Sequence, residues 1–125
     1  MTDLFDSTIL IAHLRGIAPA TELLRSAVER GGALASVLSR VEIEGGMRSD
    51  ERSGVARLFS ALRMEAVSDG IATRAGALLR EYRRSHSGID LVDYVVAATA
   101  LEHGARLLTL NVRHFPMFDG LQAAF

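Results

Sequence analysis

Two periods of hydrophobic patterning run along this chain, and the places where one gives way to the other mark its elements. "DLFD", residues 3–6, is short and reads as a strand. Ser7 can cap a helix through "TILIAHLR", which Gly16 ends. Pro19 opens "PATELLRSAVER", where Leu23, Leu24, Ala27 and Val28 share a face and Gly31 closes the helix. "ALASVLS" reads as a second strand, and "SRVEIEGGMR" as a helix that starts at Ser39 and is loosened by Gly45 and Gly46. "DERSGVARLFSALR" is amphipathic at helical spacing, and "MEAVS" is a third strand. "DGIATRAGALLREYRRS" places Ile71, Ala75, Leu78, Leu79 and Tyr82 at helical spacing. "DLVDYVVAATALEH" is apolar nearly all round, as a buried helix is. "ARLLTL" is a fourth strand and "LQAAF" a candidate fifth.

Strands separated by helices predict an α/β fold with a mostly parallel sheet of four to five strands and helices on both faces. No repeat, low-complexity stretch or linker interrupts residues 1–125, which suit one domain. In such sheets ligands bind at the carboxyl ends of the strands, near a switch point in strand order. Asp6 ends the first strand, Glu42 falls in the first turn of the helix after the second, and Asp90 and Asp93 open the apolar helix. Asn111 follows the fourth strand. Each acid also has a purely structural explanation. Ser39 and Glu42 are spaced as a capping box, Asp90 is a good N-cap, Asp93 suits a helix start, and Asp6 suits a turn or cap. If Asp6, Glu42 and Asp93 converge, their charges repel, at least one pKa rises, and a divalent cation relieves the cost. Carboxylate oxygens without cysteine favour hard Mg²⁺ or Mn²⁺ over Zn²⁺, and the usual chemistry of such a site is phosphoryl transfer.

Composition narrows the picture further. Nearly half of the 125 residues are apolar, at 49%, enough for a real core, and the formal net charge of -1 does not announce a nucleic-acid binder. There is no cysteine, hence no disulfide framework or thiolate chemistry, which fits a reducing cytoplasm. No basic, apolar leader opens the chain, and no apolar run approaches roughly 18 residues, so neither a signal peptide nor a membrane span is expected. All 14 basic side chains are arginine.

Three stretches together resemble the PIN-domain ribonucleases, specifically the VapC-type toxins of bacterial toxin–antitoxin pairs. "LFDSTILIAHLRG" resembles the family's opening motif, "SVLSRVEIEGG" its second, and "DLVDYVVAATALEHGARLLTLNVRHF" its third and most specific. The likeness spans nearly the whole chain and implies a PIN-like three-layer sandwich. It puts the family's acids on Asp6, Glu42 and Asp93, as metal ligands and catalytic residues. Where many relatives carry a further acid this chain has Asn111 and His114, a departure that leaves the second metal position open; Asp90 could supply the charge. The resemblance implies a Mg²⁺- or Mn²⁺-dependent endoribonuclease, usually a homodimer, held inactive by a VapB-like antitoxin. In that scheme Asp6 and Asp93 hold the cation and Glu42 completes the shell or orients the attacking water. The water displaces a ribose oxygen in line and leaves a 5′-phosphate. Thr109 and Ser7 are candidates to hydrogen-bond an acid or a phosphate, although a strand threonine and a helix cap are the commoner uses.

The remaining polar residues carry less. His13, His86, His103 and His114 form no recognisable catalytic set, and His103 suits a helix C-terminus. Arg40 and Arg48, near Glu42 in sequence, are candidate phosphate contacts through bidentate geometry, whereas Arg80, Arg83 and Arg84 read as a solvated face. The apolar stripe of "TILIAHL" serves the core, a dimer or an antitoxin segment. Two rivals stand beside the toxin: a non-cleaving PIN-like protein that binds RNA or a partner, and a housekeeping RNA-processing nuclease or a phosphatase.

Overall fold

In a computed structural model describing residues 1–125, four short parallel strands form one sheet in the order β3-β2-β1-β4. β1 (Asp3–Phe5) leads through α1 (Ser7–Leu14) and α2 (Ala18–Glu29) to β2 (Ala33–Ser36). α3 (Val37–Gly46), a 3-10 turn (Ser49–Glu51) and α4 (Arg52–Ala61) lead on to β3 (Arg63–Glu65). The chain then returns through α5 (Asp69–Tyr82) and α6 (Leu91–Glu102) to β4 (Arg106–Leu108), on the far side of β1, and a second 3-10 turn (Val112–His114) follows. That reversal makes the crevice beyond the carboxyl ends of β1 and β4 the switch point. Residues 121–125 form no strand, against the sequence expectation for "LQAAF". They touch the end of β4 through a single backbone bond, from Ala124 N–H to the Thr109 carbonyl at 2.9 Å, too little to propagate a ladder.

The two-residue period of the strands splits the core between the faces. Phe5, Ala33, Ala35 and Leu108 pack with α1, α2, α3 and α4. Leu4, Leu34 and Leu107 meet Val96, Ala97 and Ala100 of α6 on the other face. The opposite side of α6, with Tyr94, Val95 and Ala98, packs on Ile71 and Ala75 of α5. Covered by the sheet on one side and a helix on the other, α6 is buried without a break from Tyr94 to Ala100, as its all-round apolarity predicts. Gly16 and Gly31, just past the ends of α1 and α2, take φ of 80° and 73°, the left-handed turn that stops a helix. His103 caps α6, with Nε2 3.1 Å from Glu65 Oε2.

Two helix starts differ from expectation. The N-cap of α1 is Asp6, not Ser7: its side chain accepts from the backbone N–H groups of Thr8 and Ile9. The N-cap of α3 is Ser36, which accepts from Leu38 N–H at 3.1 Å. α3 therefore begins at Val37 rather than Ser39, and the Ser39–Glu42 capping box does not form. The polar Ser36 at the very end of the strand takes the cap first, and Ser39, one turn inside, is fully buried with its hydroxyl unpartnered.

Candidate active site

The switch-point crevice is built around Asp6, which follows β1 directly and is only 4% exposed. Oδ1 accepts from Thr8 N–H at 3.0 Å, Ile9 N–H at 3.4 Å and the Thr8 hydroxyl at 2.5 Å. Oδ2 accepts from the Thr109 hydroxyl at 2.5 Å. Both hydroxyls are fixed from behind, because Thr8 Oγ1 accepts from Leu110 N–H at 3.0 Å and Thr109 Oγ1 from Asn111 N–H at 2.9 Å. The chain leaving β4 thus orients two donors onto one buried carboxylate. Burial raises the Asp6 pKa, and these hydrogen bonds, led by Thr109 and Thr8, oppose the rise. Oδ2, with one donor, keeps room for a further partner.

Glu42 lies in the second turn of α3, one turn deeper than expected from sequence, since the helix starts earlier. Its pKa is also raised, first by burial of the carboxyl group and then by the like charges of Asp93, Asp6 and Asp90, while hydrogen bonding from Ser7 opposes the shift. The residue as a whole is solvent-exposed, so solvent moderates both contributions. Asp90 is the N-cap of α6, and Asp93 accepts from the Asp90 N–H at 3.1 Å through Oδ2. The same oxygen lies 2.8 Å from His114 Nδ1. Asp93 Oδ1 accepts no hydrogen bond.

Asp93, Asp6 and Asp90 all lie within electrostatic reach of Glu42, yet no three His, Asp or Glu side chains gather closely enough to hold a metal ion as they stand. The donor set itself suits a hard divalent ion. It is all oxygen, it is anionic, and two of its oxygens, Asp6 Oδ2 and Asp93 Oδ1, have capacity to spare.

The basic candidates divide. Arg40 is engaged, with Nε 2.6 Å from Glu44 Oε2 and its guanidinium 4.6 Å over the Phe59 ring. Arg48 forms no ion pair and lines a cleft of about 410 Å³ with Glu42, Met47 and Val55. Arg15, passed over in the sequence, is the second arginine of that cleft. Thr8 was also missed. Its signal was present in "DST", a hydroxyl two residues past a capping acid, where it can return to the carboxylate. Asn111 contacts no acid directly; its Nδ2 atom lies 2.9 Å from His114 Nδ1.

The chain belongs to the PIN-domain family, whose pattern it matches over residues 4–120. Within that family its relatives are VapC proteins. It is 49% identical over 122 residues to Ribonuclease VapC10 of Mycobacterium tuberculosis, covering 98% of this chain and 92% of the relative. It is 46% identical over 123 residues to Ribonuclease VapC19 of the same organism, covering 98% of both. Solved structures agree in fold. A toxin–antitoxin complex from Klebsiella pneumoniae superposes with a TM-score of 0.81 at 25% identity, over 99% of this chain and 98% of that one. VapBC2 of Rickettsia felis, bound to a DNA fragment from its promoter, reaches a TM-score of 0.84 at 18% identity, over 98% and 97%. No helix here is long and apolar enough to cross a membrane.

Proposed function

We propose that this protein is a divalent-metal-dependent endoribonuclease and the toxin of a VapBC-type toxin–antitoxin pair. The observation that carries the proposal is the placement of Asp6, Glu42 and Asp93 at one sheet edge, where the charges of Asp6 and Asp93 help to push up the pKa of Glu42. The kinship to VapC ribonucleases supplies the substrate class, RNA. Asp6 Oδ2 and Asp93 Oδ1 would hold Mg²⁺ or Mn²⁺, with Glu42 completing the shell or orienting water. Such an ion, when bound, polarises a phosphate oxygen and lowers the pKa of a coordinated water.

The residues of the chain do the remainder. Thr8 and Thr109 keep Asp6 ionisable in a buried place. Ser7 steadies the charged form of Glu42. Asp90 caps α6 and sets the direction from which Asp93 enters. Arg48 and Arg15, whose guanidinium groups form no ion pair, line the cleft with Glu42 and Glu51 and offer two cations for phosphates of the RNA strand. Arg40 is assigned to helix α3 rather than to substrate. An attacking water then displaces a ribose oxygen in line and leaves a 5′-phosphate. A VapB-like antitoxin as inhibitor and a homodimer as working form complete the proposal, the former supported by neighbours solved as toxin–antitoxin complexes.

The test compares wild type with Asp93→Asn on total structured RNA, with Mg²⁺ or Mn²⁺ and with EDTA. Discrete cleavage by wild type, lost with EDTA and with the substitution, is the expected result. Binding of RNA without cleavage by folded protein under every condition would favour the non-cleaving reading, for which the absence of a further acid at Asn111 and His114 speaks. Growth arrest on expression, relieved by the product of a small neighbouring gene, separates a toxin from a housekeeping nuclease.

A further inference from the structure

His114 stands apart from the acids in sequence but not in space. Its Nδ1 lies 2.8 Å from Asp93 Oδ2 and 2.9 Å from the Asn111 amide. A carboxylate can only accept, so Nδ1 carries the proton. That nitrogen cannot then accept from Asn111 Nδ2, so the amide is assigned with its oxygen toward the ring, where it shares the single Nδ1 proton with Asp93 Oδ2, the nearer acceptor. Asp93 Oδ2 consequently receives two donors, the His114 imidazole and the Asp90 backbone N–H at 3.1 Å, one from the β4 exit and one from its own helix. Two fixed donors on one oxygen set the plane of the carboxylate and leave Oδ1 as the free oxygen. The imidazole is itself well supported. It sits on the 3-10 turn after β4, and the next residue, Phe115, is 1% exposed and packed in the cluster between the sheet and α6.

We propose that His114 is a positioning residue of the acidic site: with the Asp90 amide it pins one oxygen of Asp93, so that the other is presented to the divalent cation. The proposal rests on the assignment of Asp93 as a metal ligand. It gives His114 a role behind Asp93 rather than as a substitute ligand. Hydrogen-bonded partners of this kind, behind a ligating group, typically govern metal affinity by about 10–100-fold.

The experiment titrates the protein alone with Mn²⁺, without RNA, and reads free Mn²⁺ by electron paramagnetic resonance. It uses wild type, His114→Ala, His114→Asn and His114→Gln. A thermal melt of each metal-free protein runs alongside. An asparagine amide N–H falls near the position of Nδ1, whereas a glutamine amide reaches only toward Nε2. Expected is a loss of Mn²⁺ affinity of about 10-fold or more in His114→Ala and His114→Gln, with affinity largely restored in His114→Asn and melting temperatures that do not follow the same order. Equal affinity in all four folded proteins would overturn the role of His114 while leaving the acids as ligands. Tighter binding by His114→Ala would also overturn it, because the imidazole would then be restraining Asp93 from the cation. Wild type that binds no Mn²⁺ would remove the acidic site itself, and the role of His114 with it. If His114→Ala fails to fold, the contrast between His114→Asn and His114→Gln decides alone.

Discussion

Burial and crowding act on Asp6 and Glu42 in the same direction, and the consequence is measurable without substrate. Both carboxyl groups have pKa values raised above the ordinary 3.8 and 4.5. In the metal-free protein the folded state therefore holds protons that the unfolded chain has already released. Stability falls as pH rises wherever the folded state binds more protons, so the loss begins near the unfolded values and is complete above the raised ones. Glu42→Gln removes one ionisable group from this balance and one charge from the crowd. In the presence of EDTA its melting temperature should exceed that of wild type near neutral pH, and the gap should shrink as the pH is lowered toward 4. A gap that widens on acidification would mean that ionised Glu42 is stabilised by its surroundings, and that the three acids are not competing for an absent cation. Excess Mn²⁺ should stabilise wild type and leave Glu42→Gln less affected, since a ligand that binds only the folded state raises its stability by mass action.

Helix starts are where the sequence and the structure part company, and the reason is competition among neighbouring caps. In "ASVLSR" two serines stand three residues apart, and either can cap; the strand ends at Ser36 because the buried β2 positions end there. Ser36→Ala should cost about 1 kcal/mol, the usual value of a helix cap. Ser39→Ala should cost nothing and should stabilise the protein slightly, because it deletes a buried hydroxyl that has no partner. Urea unfolding of the two variants reads the difference directly. A destabilised Ser39→Ala with a neutral Ser36→Ala would restore the later helix start. The same competition gives the first cap to Asp6 rather than Ser7: its Oδ1 is spent on α1, and Oδ2 accepts from the buried Thr109. For Asp93 a cap and a site are compatible, since one oxygen caps and the other accepts no hydrogen bond. Hydrophobic period and capping chemistry are local, and they made all four observed strands and all six helices legible. The return of Thr8 to Asp6 is local, but the bonds from Thr109 to Asp6 and from Leu110 to Thr8 span about a hundred positions in the chain, which no spacing rule reveals.

Across the whole molecule the parallel register does what short strands cannot do alone. Three of the four strands have only three residues, and β1, one of the two inner strands, is held from both sides. Its first residue, Asp3, pairs in register with Arg106 of β4, and the acid is buried with 1% of its side chain exposed. Arg106 grips it with two bonds, Nε to Oδ1 at 2.9 Å and Nη2 to Oδ2 at 3.0 Å, and Arg30 reaches it from the end of α2 at 2.7 Å. The "DLFD" stretch showed only a strand ending in an acid; the acid at its start became meaningful once β4 was placed beside β1. Asp3 and Asp6 thus divide the strand's two ends, one clasped by arginines and one by threonines. Removing Asp3 leaves no stranded buried cation, because Arg30 and Arg106 are 37% and 51% exposed and can be hydrated. The cost of Asp3→Ala should therefore be that of lost charged hydrogen bonds, about 1.5–3 kcal/mol, rather than that of a broken fully buried pair. The clasp lies about 10 Å along the strand from Asp6, given the rise of an extended chain. Asp3→Ala should accordingly lower the melting temperature by several degrees while folded molecules, assayed well below it, keep wild-type Mn²⁺ affinity. Lost Mn²⁺ affinity at unchanged stability would mean instead that the two ends of β1 are coupled, and that the clasp sets the position of Asp6 rather than merely holding β1 between its neighbours.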